Sequence, residues 1–105
     1  MEANEIYKKA IEKWGVSLQL VMAIEEMSEL TKEISKHLRG KLDKNKIAEE
    51  IADVEIMMEQ LKILFDNDKK VKEEKALKLL RLSQILKEDF SGVGGKKQSK
   101  WNLRI

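Results

Sequence analysis

The sequence predicts an all-α protein, an antiparallel four-helix bundle-like protomer that oligomerises through its helices. Three observations carry this reading. Proline is absent and glycine occurs 5 times, at only two positions before residue 90, so little interrupts helical backbone there. Apolar residues recur at intervals of three and four, the period of a helix buried on one side. Between these stretches lie short polar or glycine-containing breaks of the kind that connect neighbouring helices. At 105 residues the chain is one domain, large enough for a core but small enough to favour self-association.

The first helix is expected over residues 3–13, with Ile6, Ala10 and Ile11 inward. Gly15 interrupts it, and Ser17 is expected to cap the next helix. Trp14, at this junction, reads first as a packing anchor and second as a flat face on which a nucleobase can stack. The second helix, residues 17–38, carries its main apolar stripe on Leu20, Ile24, Met27, Ile34 and Leu38. A second line begins with Leu18 and Met22 and continues into Glu26, Glu29 and Glu33. Gly40 then suits a helix C-terminus and Asp43 the N-cap of the third helix. So short a turn predicts that the helices on either side run antiparallel.

The third helix, residues 44–65, has Ile47, Ile51, Val54, Met58, Leu61 and Phe65 as its stripe. Glu50 and Asp53 lie at the edge of that stripe and lead into Met57 and Leu64. The run Asp66-Asn67-Asp68-Lys69 breaks the pattern and starts a fourth helix over residues 69–89, with Val71, Ala76, Leu79, Leu80, Leu82, Ile85 and Leu86 apolar. Lys75, Lys78 and Arg81 line one side of it. Each reads most simply as solvated, yet together they suit a polyanionic ligand. Gly92, Gly94 and Gly95 mark a linker, which divides the chain into an all-α domain at 1–90 and a flexible basic tail at 91–105.

Composition excludes several classes. Without cysteine there is no disulfide framework, thiolate nucleophile or cysteine-ligated zinc. The formal charge of +2 is too small to imply nucleic-acid binding. Lys96, Lys97, Lys100 and Arg104 supply it from the tail, leaving the body at about −2. The polar start of the chain shows no signal peptide and no apolar run reaches membrane-spanning length, so a cytoplasmic protein without a membrane partner is expected. His37, the only histidine, sits where a cation complements a helix C-terminus. A single histidine argues against a di-iron bundle, which needs Glu-x-x-His twice.

The acids carry the chemistry. Glu26 with Glu29, and Glu50 with Asp53, are pairs three residues apart, about one helical turn, on a common face. Both pairs lie roughly 15 Å from the turn at Gly40, so all four reach a similar height on adjacent helices. Like charges so placed cost a helix a few tenths of a kcal/mol, which a hard divalent cation would offset. Mg²⁺ is the expected ion, with Mn²⁺ as an alternative.

Glu25-Glu26-x-x-Glu29 followed by Glu50-x-x-Asp53 resembles the EExxE…ExxD signature of the MazG-like all-α nucleoside triphosphate pyrophosphohydrolases. The resemblance runs from about Tyr7 to Leu86 and includes Lys13-Trp14-Gly15 and His37-Leu38-Arg39-Gly40. It implies Mg²⁺-dependent cleavage of a nucleoside triphosphate between its α- and β-phosphates, giving the monophosphate and pyrophosphate. Glu26, Glu29, Glu50 and Asp53 would hold the metal. Glu25 would either add a ligand or take the proton from the attacking water. Trp14, Lys75, Lys78 and Arg81 are the candidate substrate contacts, and a homodimer or homotetramer is implied. The rival reading is a non-catalytic helical interaction module, a coiled-coil-like dimer or adaptor. It accounts for the apolar stripes but not for acids that continue them on two adjacent helices.

Overall fold

The computed structural model describes the backbone of residues 1–91 and the side chains of residues 1–88. Among the described residues the protein is all-helical, with four helices and no strand: α1 Ala3–Trp14, α2 Val16–Leu38, α3 Lys44–Leu64 and α4 Asp68–Ser91. One compact unit, Met1–Asp66, contains α1 to α3, and a second begins at Asn67 and contains α4. The expected tail at 91–105 lies, beyond Ser91, outside the described residues.

The helix boundaries have local causes. Gly15 adopts φ 85°, ψ 160°, a backbone region essentially restricted to glycine. Its N–H donates to the Ile11 carbonyl at 2.8 Å while its own carbonyl accepts from the Gln19 N–H at 3.2 Å. One residue thereby ends α1 and begins α2. Ser17 falls inside the first turn of α2 and makes no cap, contrary to the sequence expectation, because the glycine leaves no connecting residues to be capped.

The other end of α2 closes as the sequence suggests. Gly40, at φ 82°, donates to the His37 carbonyl, and Lys41 donates to the Lys36 carbonyl, both at 2.9 Å. This is the paired closure of a glycine-terminated helix, which satisfies carbonyls left over at the C-terminus. Asp43 then caps α3, its carboxylate accepting from the Lys46 N–H at 3.0 Å. Such a cap is worth about 1 kcal/mol. At the end of α3, Asp66 takes φ 48°, a left-handed conformation that aspartate tolerates better than most residues.

Within the first unit, α2 packs chiefly on α3, and α1 rests on both. The cross-helix partners run in opposite chain directions. Gln19 meets Gln60, Glu26 meets Asp53, and Lys46 feels the charge of Glu33. Each step of seven forward along α2 is therefore matched by a step of seven back along α3. Buried along this seam are Ala23 and Met57, with Gln19, Glu33, Glu50 and Gln60.

This seam corrects the expected apolar faces. Ile24, Met27, Ile34 and Leu38, assigned to the main stripe of α2, are exposed, as are Ile51 and Phe65 of α3. The rest of the expected α3 stripe, Ile47, Val54, Met58 and Leu61, is half-buried, whereas on α2 the buried positions are Gln19, Ala23 and Glu33. Periodicity locates an apolar stripe but does not say which neighbour covers it. In α1 the inward residues are Tyr7, Ala10 and Ile11, whereas Ile6 is exposed.

Candidate metal and ligand site

The acids converge at the middle of the seam. Carboxylate oxygens of Glu26, Glu50 and Asp53 all lie within 4.8 Å of one another. Glu50 is 5 % exposed, Glu26 is half-buried and Asp53 is exposed, so the cluster opens from a buried end toward solvent. Glu26 and Asp53 come from facing helices, and Glu50 and Asp53 are one turn apart on α3.

The electrostatics are unbalanced. Glu26 is held above the ordinary glutamate pKa, first by burial, then by the charge of Asp53 and a hydrogen bond to it, and further by Glu50 and Glu29. Carboxylates this close disfavour ionising together, so the pair favours a proton or another cation. The Glu50 carboxylate is divided in its partners. Oε1 meets the Lys46 ammonium at 3.3 Å, whereas Oε2 is buried without any hydrogen-bond partner. An unpaired buried carboxylate oxygen is costly and calls for a ligand. Lys46 is itself raised above the ordinary lysine pKa, chiefly by its hydrogen bond to Glu50.

One step of seven toward the Gly40 turn the charges are better matched. Glu33, 4 % exposed, accepts from the Lys36 ammonium at 3.2 Å and also faces the positive field of Lys46. One step of seven the other way, the seam is neutral. Gln19 Nε2 donates to Gln60 Oε1, and both amides are buried. Beside that amide pair a cavity of about 340 Å³ opens, walled by Trp14, Leu18, Met22 and Met57. Met22 and Met57 lie one turn from Glu26 and Asp53, so cavity and acid cluster adjoin.

Of the residues expected at the site, Glu26, Glu50 and Asp53 are brought together. Glu29 is exposed and close enough to act on Glu26 electrostatically, but it lies outside the convergent three. Glu25 is exposed on α2. Trp14 is half-exposed at the cavity, with the Lys13 ammonium 5.3 Å from its ring centre. Lys75 and Arg81 are exposed on α4 and Lys78 is half-buried there. Residue spacing placed Glu33 on the acid line of α2 but did not single out Gln19, Gln60 or Lys46. The clue that existed was their placement at intervals of seven from the two acid motifs.

A scan against protein-family models, a search of curated proteins and a search of solved structures each find no match to this chain.

Proposed function

We propose that this protein is a Mg²⁺-dependent nucleoside triphosphate pyrophosphohydrolase that cleaves between the α- and β-phosphates and works as a homo-oligomer in the cytoplasm. The observation that carries the reading is the buried, unpartnered Oε2 of Glu50 within a cluster of three carboxylates. A lone acidic patch on a helix is commonly solvated, but a carboxylate oxygen buried without a donor is not. The EExxE…ExxD spacing supports the same conclusion independently.

In this reading Glu26, Glu50 and Asp53 hold the metal, with Glu29 within reach as a further ligand and Mn²⁺ as an alternative ion. When bound, the ion supplies Lewis-acid polarisation of phosphate oxygens and a more acidic water. Lys46 occupies one oxygen of Glu50 and leaves the other without a partner, open to the ion. Glu25, on the exposed side of α2, serves either as a further ligand or as the acceptor of the water proton. Trp14 faces the adjoining cavity as a stacking surface. Lys75, Lys78 and Arg81 are proposed as phosphate contacts.

The exposed stripe of Ile24, Met27, Ile34 and Leu38 supports the oligomer, since a second copy laid on it would remove large apolar side chains from water. The same stripe favours the rival reading, a helical interaction module without catalysis. Product analysis separates the two. Incubation with nucleoside triphosphates and Mg²⁺ should release pyrophosphate and the monophosphate. Orthophosphate with the diphosphate would overturn α–β cleavage, and no metal-dependent product from any triphosphate would favour the module. Light scattering at micromolar concentration should report a dimer or tetramer, and an active 12 kDa monomer would remove the shared assembly.

A further inference from the structure

We propose that the cavity beside the acid cluster seats a nucleobase, and that the Gln19–Gln60 pair reads the edge of that base in either of two donor–acceptor senses. The choice of a nucleotide as ligand rests on the reading of the adjoining acids as a phosphate site. The reversible edge is a property of the amide pair itself.

The cavity has the size and wall of a seat for a flat ring. At about 340 Å³ it lies within the range of small-molecule sites, roughly 300–1,000 Å³. Its rim is the half-exposed indole of Trp14 and the side chain of Leu18, and Met57 lies deep, 6 % exposed. Thioethers such as Met22 and Met57 are polarisable and pack well against aromatic faces, as does an indole. The deep end is polar only through the two amides, which are 4 % and 5 % exposed. Because Met22 and Met57 stand one turn from Glu26 and Asp53, a base seated here directs its sugar and phosphates toward the carboxylates.

The amide pair determines what can be read. A primary amide offers two N–H donors and a carbonyl with two lone pairs. The bond from Gln19 Nε2 to Gln60 Oε1 uses one donor and one lone pair. It leaves the Gln19 carbonyl as an acceptor beside the Gln60 NH₂ as a donor. If both amides turn over, the same bond forms in the reverse sense, and the free acceptor and donor exchange places. The pairing edge of a base also carries a donor beside an acceptor, and replacing an amino group by an oxo group reverses their order. The pair can follow that reversal at no loss of hydrogen bonds. This seat therefore does not separate amino from oxo bases of the same ring size.

The test uses nucleosides, which have no phosphate, with the whole chain and without metal. Cytidine, uridine, adenosine and inosine are titrated while the Trp14 indole N–H is followed by NMR, its signal assigned by loss in Trp14→Phe. Saturable shifts are expected, with affinities within about threefold for cytidine against uridine and for adenosine against inosine. Gln60→Met, close in shape to the wild type, should weaken both members of each pair about tenfold, the scale of a lost buried hydrogen bond. Circular dichroism confirms that the variant is folded. A tenfold or greater preference in wild type for one member of a pair would overturn the reversible edge. No saturable shift with any nucleoside would overturn the seat. So would shifts that follow protein concentration alone, which would assign the cavity to a second copy. Pyrophosphate release without nucleoside binding defeats this inference and leaves the hydrolase reading standing, and nucleoside binding without pyrophosphate release does the reverse.

Discussion

Glu26 facing Asp53 and Glu33 near Lys46 occupy equivalent places on the α2–α3 seam, one step of seven apart, yet their charges are managed in opposite ways. Around Glu33 the acid is answered by the ammonium groups of Lys36 and Lys46. Around Glu26 three carboxylates converge, and Lys46 reaches only one oxygen of one of them. The first arrangement is complete within the chain. The second is incomplete, and the difference teaches where to look for a ligand: the acids alone do not mark the place, since Glu33 is as buried as Glu50. The missing counter-charge does.

The contrast can be broken most forcefully at Glu50. Glu50→Gln should lower pyrophosphohydrolase turnover about 100-fold or more, since even groups that only orient metal ligands are worth 10–100-fold. It should also abolish the rise in melting temperature that Mg²⁺ gives wild type through selective binding to the folded state. Near-normal turnover with an intact metal-dependent shift would place Glu50 with the structural acids. Glu33→Gln is the matched control and should leave the Mg²⁺ shift in place.

Glu26 gives a prediction with a definite sign. Its pKa is raised in the folded protein, so the folded state holds the Glu26 proton more tightly than the unfolded chain does. The metal-free protein is therefore most favoured below the unfolded value, and it loses that contribution as pH rises through the raised folded value. Glu26→Gln removes the penalty. Without metal, the variant should melt above wild type near pH 7, and the gap should close as pH falls below the unfolded carboxylate range. A gap that widens on acidification would contradict the assignment.

Lys46 allows a subtler test, because it is shared between the two places. Lys46→Gln withdraws a cation from Glu50 Oε1 and should tighten Mg²⁺ binding a few-fold, read by calorimetry without nucleotide. Weaker Mg²⁺ binding would mean that Lys46 is needed to position Glu50 more than it competes for it. The smallest effect is expected at Asp43, which caps α3 well away from the acids. Asp43→Ala should cost about 1 kcal/mol, several degrees in Tm for a chain of this size, without changing the Mg²⁺-induced shift.

Much of the fold was legible because local signals were unambiguous. The four helices, the Gly40 closure and the Asp43 cap follow from period and punctuation, and the observed boundaries lie within a residue or two of those expected. The equal height of the acid pairs was also legible, since both lie a similar number of residues from one turn. The face of α2 turned inward was not. Gln19 and Gln60 are polar and break the apolar count, and their pairing spans 41 residues, so nothing local announces it. The distinction between Glu26 and Glu29 depends on the rotation of α2 about its axis, which spacing within one helix leaves free. Ser17 misled because a glycine able to join two helices directly needs no capping hydroxyl after it.

The steps of seven along the seam restrict how the length of this chain can change. A single residue inserted between Glu26 and Glu33 would turn everything on one side of it by about 100° about the helix axis. Glu26 and Gln19 would leave the seam together, taking the acid cluster and the amide pair with them. The connection at residues 39–43 lies outside the paired stretch and has no such rule. Related sequences should therefore vary in substitutions and in the length of this connection. Between Gln19 and Glu33, or between Lys46 and Gln60, they should gain or lose residues only in sevens, with both helices changing together.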